Sequence, residues 1–273
     1  MQEAVAQDKV FAANRAVGRI ALAVAAQSGV TRRRQVYEDG PLRVRFPNSS
    51  GPALEAMIVN TAGGIAGGDR HDLDIEVGEG ATLAVTTAAA EKVYRALGPD
   101  AEIAVKFAVG AGARLSWLPQ ETILFDRARL LRRIEVELAS DATLLMAEAV
   151  VFGRSAMGEV VVEGAFTDRW RVRRDGRLLL AETVRLDGAI ARMLAEPAVA
   201  GGSVAIATVL AVPGDQAMAE RLRAQTFCGE VGVSAWNGLA VARLCAKDDA
   251  SLRRDLTAVI TALGGSLPRL WLN

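Results

Sequence analysis

Alternation of apolar and polar residues is the dominant pattern of this chain, and it predicts strands that bury one face and expose the other. Between residues 73 and 77, leucine, isoleucine and valine alternate with acidic residues. The same two-residue period recurs at 103–109 and 134–138. Three further segments are apolar at nearly every position, which favours strands covered on both faces; they span 143–151, 159–162 and 203–212.

A short turn sequence recurs between these strands. Val-Gly-Glu-Gly-Ala-Thr-Leu at 77–83 returns as Val-Gly-Ala-Gly-Ala-Arg-Leu at 109–115, and a degenerate copy lies at 138–144. Strand–turn–strand units at a near-constant spacing of roughly 30 residues are typical of stacked β architectures, in which each coil buries its apolar face on the next. The hairpins of an ordinary β-sandwich remain the alternative. Asp175-Gly176 separately predicts a tight hairpin turn.

Helix signals are few and concentrate towards the C-terminus. Residues 248–262 place their leucines, valine and isoleucine on one stripe, with cap residues before them and a Gly-Gly pair after them. A shorter helix is predicted at 215–225, and one or two helical turns at 88–97. Because no linker or change in composition interrupts the chain, we expect one domain over residues 1–273 and a mainly β fold.

Composition narrows the classes of function. The 273 residues carry 32 basic and 32 acidic side chains, so the chain has no net positive charge that would favour binding to nucleic acid or to an anionic membrane. One histidine and two cysteines cannot build a conventional structural or two-histidine zinc site, and imidazole catalysis would depend on His71 alone. Two cysteines also favour a reducing, cytoplasmic location. Residues 20–26 resemble the apolar part of a signal peptide, but acidic residues at positions 3 and 8 argue against export.

The sharpest local motif is a doubled glycine pair. Gly63-Gly64 and Gly67-Gly68 follow the strand-like segment 55–60 and are followed by Asp69. Phosphate-binding loops of this kind require a following helix or a Gly-Lys-Ser/Thr ending, whereas an alternating strand follows here, so nucleotide binding is disfavoured. A left-handed turn is the simplest interpretation. Close approach of another backbone, or a channel wall free of side chains, would explain why the pair is doubled.

Acidic residues interrupt several apolar segments. Glu148 and Glu182 lie within the apolar runs 144–152 and 178–184, and two more acids lie in the apolar segment 118–127. Each buried carboxylate requires a partner, for which an arginine is the ordinary solution. Together they suggest a polar interior path or a carboxylate metal site. Glu91 and Arg95, four residues apart, suggest a surface helical pair, and His71 is expected at a solvated strand edge.

Five blocks of the sequence resemble the UreD family of urease accessory proteins, called UreH in some organisms. The order and spacing of the blocks agree with that family from about residue 40 to 159, and more loosely up to the C-terminus. The first fourteen residues fall outside the resemblance and are expected to form a flexible tail. The blocks are NTAGGIAGGDR (60–70), TTAAAEKVYR (86–95), WLPQETILFDRARL (117–130), AEAVVFGRSAMGE (147–159) and LPRLW (267–271).

The resemblance implies a right-handed, β-helix-like stack of strands with a few helices, and a role that is not enzymatic. It implies that the chain binds the urease apoprotein and the accessory protein UreF, which recruits the GTPase UreG, and that it helps deliver nickel to urease through an internal passage. No nucleic acid or membrane is implied as a partner. No tightly bound cofactor is expected, only transient nickel, because a conduit requires ligands weak enough to release the ion.

We therefore expect two sets of site residues. Transient nickel ligands are predicted among the inward acids, namely Asp69, Glu148 and Glu182. The passage and the turn at its mouth are predicted to include Gly63, Gly64, Gly67, Gly68, Asp69, Thr86, Thr87, Tyr94, Arg95, Glu121 and Asp126. The alternatives are a β-helix carbohydrate-active enzyme that uses paired carboxylates, which would need exposed aromatic residues to stack on sugars, and a purely structural scaffold of another assembly.

Overall fold

The computed structural model describes residues 15–48, 51–154 and 157–272; the predicted tail at 1–14 lies outside them. Strands dominate the described residues, as the alternation predicts, and the helices among those residues lie in the C-terminal third of the chain. The strands in chain order are β1 (Val17–Gln27), β2 (Val30–Asp39), β3 (Leu42–Arg45), β4 (Leu54–Asn60), β5 (Arg70–Val77), β6 (Thr82–Thr87), β7 (Glu91–Val93), β8 (Ala101–Val109), β9 (Arg114–Trp117), β10 (Thr122–Leu124), β11 (Arg129–Leu138), β12 (Thr143–Phe152), β13 (Gly164–Arg174), β14 (Arg177–Gly188), β15 (Ala205–Val212), β16 (Glu230–Trp236) and β17 (Leu239–Ala246).

The chain winds as a β-solenoid of about four turns, which confirms the predicted stack of strands. Sheet 1 has the order β14-β13-β11-β8-β5-β1-β2, and sheet 2 contains β16-β17-β15-β12-β9-β6-β4-β3. Within sheet 1, the strands β1, β5, β8, β11 and β13 are parallel neighbours. Because successive segments of the chain alternate between the two sheets, each turn of the solenoid stacks on the previous one. The largest apolar cluster lies between the sheets.

The repeated glycine turns stack upon one another, as predicted. The N–H of Gly80 donates to the carbonyl of Ala111 in the next coil at 2.9 Å. Gly80 and Gly112 both adopt left-handed backbone, with φ of 65° and 62°. The alanine that follows each turn is buried in all three copies, so the small side chain is required where neighbouring coils meet. The hairpin at Asp175-Gly176 is also confirmed, since both residues have positive φ between β13 and β14.

The predicted helical turns at 88–97 are wrong. This segment contains β7, which pairs in parallel with β10, and β10 in turn pairs with the end of β12. The ladder extends sheet 2 beside the end of β12, and tertiary pairing there outweighs local helix propensity. Glu91 and Arg95 therefore do not share a helix face. The strand predicted at 159–162 is also absent, because the N–H groups of Val162 and Glu163 donate to the carboxylate of Asp126 instead of a neighbouring strand.

Of the three α-helices among the described residues, two confirm the sequence signals. The helices are α1 (Ile190–Ala195), α2 (Gln216–Arg223) and α3 (Asp249–Ala262), and a short 3-10 helix follows at Arg269–Trp271. Asp215 caps α2 and Asp248 caps α3, each by accepting a backbone N–H at 2.7 Å. Both helices pack on the outer face of sheet 2 around a second apolar cluster. The six-residue α1 has no side-chain cap, so the sequence carried no start signal for it.

Candidate functional site

A buried group of three charged residues lies inside the solenoid. Arg132 of β11, Glu148 of β12 and Asp168 of β13 are 3%, 5% and 6% exposed. Arg132 and Asp168 are direct neighbours in the parallel ladder of sheet 1, and Glu148 faces them from sheet 2. Each residue occupies a position where the alternation of its strand directs the side chain inward.

The guanidinium of Arg132 joins the two carboxylates. Its Nη2 donates to Asp168 Oδ2 at 2.6 Å, and its Nη1 donates to Glu148 Oε2 and to the hydroxyl of Thr122, the latter at 3.2 Å. The indole of Trp117 donates to the other oxygen of Glu148 at 2.7 Å. Asp168 Oδ1 and Arg132 Nε have no hydrogen-bond partner within the described part of the chain. The group is therefore cross-linked but incompletely satisfied, which is costly in a buried location.

Burial shifts the protonation equilibria of this group. It raises the pKa of Glu148 to about 7, although the nearby guanidinium of Arg132 acts in the opposite direction. For Arg132, burial lowers the pKa, but the two carboxylates outweigh that effect and raise it, so the arginine stays charged. Burial and the charge of Arg132 therefore act in opposite directions on the Glu148 carboxyl, while the arginine itself stays charged.

A cavity of about 60 Å³ adjoins Arg132 and Glu148 between the sheets. We call it the interior cavity, and a volume of this size has room for a few water molecules. Its wall combines apolar side chains of both sheets with a set of polar and charged ones. The polar set is His71, Thr87, Glu91, Gln120, Thr122, Arg132 and Glu148.

His71 lies in this wall and not at a solvated edge, so that prediction is wrong. It is only 3% exposed, because it continues the inward series of Leu73 and Ile75 on β5. Burial lowers the pKa of His71, although Asp69 and Asp72 oppose the shift. Its Nε2 forms no hydrogen bond to the described residues. A neutral imidazole with an uncommitted nitrogen is a group that can accept a proton or bind a metal ion.

Glu91 is the second carboxylate of the interior cavity. Burial raises its pKa to about 7, and the opposing effect comes from the side-chain amide of Asn60. The Nδ2 of Asn60 donates to both carboxylate oxygens, at 3.1 and 3.2 Å. The cavity thus contains two carboxyl groups whose pKa values are raised by burial and one imidazole whose pKa is lowered by burial.

The predicted glycine turn is shaped by close contact with residues 92–99. A Cβ on Gly64 would lie 2.4 Å from the ring of Tyr94 and 2.9 Å from the carbonyl of Lys92. A Cβ on Gly67 would lie 2.7 Å from Ala96. The hydroxyl of Tyr94 donates to the carbonyl of Gly63 at 3.0 Å. Two of the explanations open from the sequence are therefore confirmed: close approach of another segment at Gly64 and Gly67, and left-handed backbone at Gly63 and Gly68, with φ of 76° and 86°.

The three acids predicted as nickel ligands do not meet at one place. Glu148 lines the interior cavity, whereas Asp69 and Glu182 do not. The carboxylate of Asp69 accepts the N–H groups of Ala16 and Ala66, each at 2.8 Å, and so ties the glycine turn to the start of β1. Glu182 forms an ion pair with Arg243. Within the described residues, no group of three or more His, Cys, Asp or Glu could hold a metal ion.

Of the two predicted passage threonines, Thr87 adjoins the cavity and Thr86 does not line it. Thr87 lines it and accepts the N–H of Gln120 at 2.9 Å. Thr86 is fully buried, and its hydroxyl has no partner among the described residues.

Three others lie in outer contacts. Glu121 pairs with Arg253 of α3 at 2.7 Å. Asp126 holds the segment before β13 through the N–H groups of Val162 and Glu163. Arg95 is exposed and bridges to Ala128 through its backbone.

Sequence reasoning missed Arg132 and Asp168, although a signal for both was present. On β11, every second residue points inward, and position 132 falls in this series between Leu130 and Ile134. On β13, position 168 falls in the same way between the inward residues Phe166 and Trp170. A charged residue in register with the apolar face of a strand predicts a buried charge. The pairing of the two with Glu148 from the opposite sheet is tertiary information.

Comparison with known proteins gives consistent matches. The UreD urease accessory protein family model matches residues 16–272. A "Urease accessory protein UreD" of Rhodopseudomonas palustris (strain BisA53) is 59% identical over 271 residues, covering 98% of this chain and 95% of the relative. Another protein of that description, from Bradyrhizobium diazoefficiens, is 58% identical over 266 residues, covering 97% and 96% of the two chains.

Proposed function

The chain belongs to the UreD family of urease accessory proteins, and from this premise we propose that it binds the urease apoprotein and UreF, through which UreG is recruited. The role of the family is accessory and not catalytic, so the carbohydrate-enzyme alternative is set aside. Such an enzyme would use paired carboxylates, but the pair in the interior, Glu148 and Asp168, is bound to Arg132. No helix among the described residues is long and apolar enough to cross a membrane.

We further propose that nickel passes through the solenoid by way of the interior cavity. The observation that carries this proposal is the polar wall of the cavity. Buried charges and unsatisfied polar atoms destabilise a fold, so their presence here calls for a functional explanation. His71, Glu91 and Glu148 supply one nitrogen ligand and carboxylate oxygens. A mixed set without a closed ligand cage favours passage of a divalent ion over capture.

A cytoplasmic location completes the proposal. Both cysteines are free, Cys228 being exposed and Cys245 half-buried. Free thiols are the usual state in a reducing compartment.

The proposal is tested in a urease-producing strain that lacks this chain. The strain is complemented with the native chain, with Glu91→Gln/His71→Gln in the cavity wall, or with Glu135→Gln on the exposed face of β11 as the control. The nickel content of purified urease and the co-purification of urease subunits and UreF are measured. We expect the cavity variant to lower the nickel content with co-purification retained, and the control to match the native chain.

Two results would contradict the proposal at different levels. Full urease activity without any copy of the chain would exclude the maturation role. Full nickel loading by a stably folded cavity variant would exclude the route through the interior cavity but leave the docking role standing.

A further inference from the structure

We propose that the free edge of β2 binds an extended acidic segment of a partner protein, which pairs with β2 as an additional strand of sheet 1. The β2 edge is defined here as residues 32–37, with the sequence Arg-Arg-Arg-Gln-Val-Tyr. This proposal does not depend on the nickel route, because the β2 edge is formed by the first coil and by residues that do not line the interior cavity.

The β2 edge is exposed to an unusual extent. β2 is the terminal strand of sheet 1 and, among the described residues, pairs with β1 alone. All six residues from 32 to 37 are exposed. At the opposite end of the same sheet, exposed and covered positions alternate along β14 from Leu180 to Leu186. The first coil therefore ends in a strand supported from one side only.

The backbone of the β2 edge has unused hydrogen-bonding groups. In an antiparallel pair, about half of the N–H and C=O groups of an edge strand point away from its neighbour. Thr31 uses its outward N–H to reach the carbonyl of Pro52 at 2.8 Å. Within the described residues, no hydrogen bond other than those to β1 involves residues 32–37. An added strand would satisfy these groups.

The charge of the β2 edge defines the chemistry of its partner. Arg32, Arg33 and Arg34 take part in none of the ion pairs between described residues. Arg33 instead stacks on Phe46, with its guanidinium 4.7 Å from the ring centre. Glu38, on the same strand, is bound to Arg45 at 3.2 Å and not to these arginines. Three uncompensated positive charges along an open strand are complementary to a segment rich in aspartate and glutamate.

A second copy of this chain fits the β2 edge poorly. Antiparallel pairing of two β2 strands would gather six arginines in one small interface, and like charges held close together repel. The strand also carries a register shift opposite Ala23 and Val24. Such a bulge is a common protection against edge-to-edge association of identical chains.

Nucleic acid also fits less well than a peptide. Beside the arginines, Val36 and Tyr37 are 41% and 47% exposed and border an open cleft of about 600 Å³ with Val44 and Phe46. Apolar side chains of an alternating peptide fill such a cleft while its backbone pairs with the strand. A phosphate backbone would use the charges alone.

The test measures binding of short labelled probes to the full-length chain by fluorescence anisotropy. The probes are an eight-residue peptide that alternates Glu and Val, the same peptide with Lys for Glu, and a ten-nucleotide single-stranded DNA. Amide hydrogen exchange is followed in β2 with and without the acidic peptide. We expect only the acidic peptide to bind tightly, with an affinity that falls as salt rises, and we expect it to slow exchange at residues 32–37.

Matched variants separate the edge from general charge. Arg32→Glu/Arg34→Glu is expected to weaken binding by about tenfold or more, and Arg32→Lys/Arg34→Lys to retain most of it. Arg169→Glu/Arg177→Glu, which changes the net charge equally at the other end of sheet 1, is expected to bind like the native chain. Circular dichroism verifies that each variant is folded.

Four outcomes would overturn the proposal. The first is that the DNA binds at least as tightly as the acidic peptide, and the second is that both charge-reversed variants lose affinity equally. The third is that the peptide binds without slowing amide exchange in β2. The fourth is that β2 is already fully protected from exchange in the chain alone. The last outcome would mean that a second copy or residues 1–14 already occupy the edge. Measuring the molecular mass of the chain in solution separates those two occupants.

Discussion

Arg132 is the residue on which the charged interior depends. It holds Glu148 and Asp168 in a region where water is largely excluded, and it remains protonated because both carboxylates raise its pKa. An arginine is suited to this position because its fork of donors reaches both sheets at once. Removing the arginine would leave two carboxylates buried without a cation.

We therefore expect Arg132→Met to lower the free energy of unfolding by about 3–5 kcal/mol. The adjacent Arg133→Met is the matched control, since Arg133 points outward and pairs with Glu102 at 3.2 Å on the surface. Its expected effect is within about 0.5 kcal/mol of zero. Urea denaturation followed by circular dichroism measures both, and equal effects of the two variants would show that the buried ion pairs do not stabilise the fold.

Glu91 makes stability depend on pH. Its pKa is about 7 in the folded chain against an ordinary value of 4.5, so the folded state holds the proton more tightly than the unfolded state. The free energy of unfolding contributed by this group is therefore greatest below pH 4.5 and falls as the pH rises to about 7. The slope is about 1 kcal/mol per pH unit within that window.

Glu91→Gln is expected to make the fall in stability between pH 4.5 and 7 less steep, while Glu135→Gln on the exposed face leaves it unchanged. Urea midpoints recorded at half-unit pH intervals supply the measurement. An identical slope in the native chain and in Glu91→Gln would contradict the burial of this carboxylate.

At the scale of elements, the coil is held by short connections that touch their neighbours closely. The glycine turn packs on residues 92–99, and its Asp69 carboxylate receives the N–H of Ala16 from the start of β1. The segment after β12 depends in the same way on Asp126. These two connections are therefore packed parts of the structure and not free connectors.

Two glycines of the turn separate contact from backbone conformation. Gly64 has φ of 153° and no space for a Cβ, whereas Gly63 has φ of 76° with nothing within 4 Å. We expect Gly63→Ala to lower the free energy of unfolding by about 1 kcal/mol, from backbone strain alone. Gly64→Ala is expected to lower it by about 2 kcal/mol or more. Thermal melts of both variants test whether Gly64→Ala is the more destabilising of the two. If residues 92–99 do not contact the turn, Gly64→Ala must be no more destabilising than Gly63→Ala.

At the scale of the whole molecule, the stacked coils predict a gradient of local stability. The central strands β5, β8, β6 and β9 have parallel neighbours on both sides, whereas β2 and β16 each have a single, antiparallel neighbour among the described residues. In solenoids each coil is stabilised chiefly by its nearest neighbours, so a terminal strand opens at a lower free energy.

Amide hydrogen exchange of the full chain without partners should therefore be slowest in β5 and β8 and fastest in β2. Mass spectrometry of peptic fragments resolves these segments. Uniform exchange over all strands would indicate that the chain opens only as a single cooperative unit, and faster exchange in the central coils than in β2 would contradict the predicted gradient.

Much of the fold and part of the site could be predicted from the sequence. Alternation placed most strands, the recurring glycine turn indicated stacked coils, and the capping aspartates of α2 and α3 marked their starts. These features depend on residues near one another in the chain, so the sequence carries them directly. The order and spacing of the UreD-like blocks also placed the chain in its family, which the comparisons confirm.

Only the tertiary structure decided where the acids point and what holds them. Glu148 meets Arg132 from the opposite sheet, Glu182 meets Arg243 across the two sheets, and Asp69 bonds to the backbone before β1. Tertiary pairing also makes residues 91–93 a strand, because their ladder with β10 forms only when the coils are stacked. A sequence determines the face on which each side chain lies, but long-range pairing determines its partner, since that depends on which coils become neighbours.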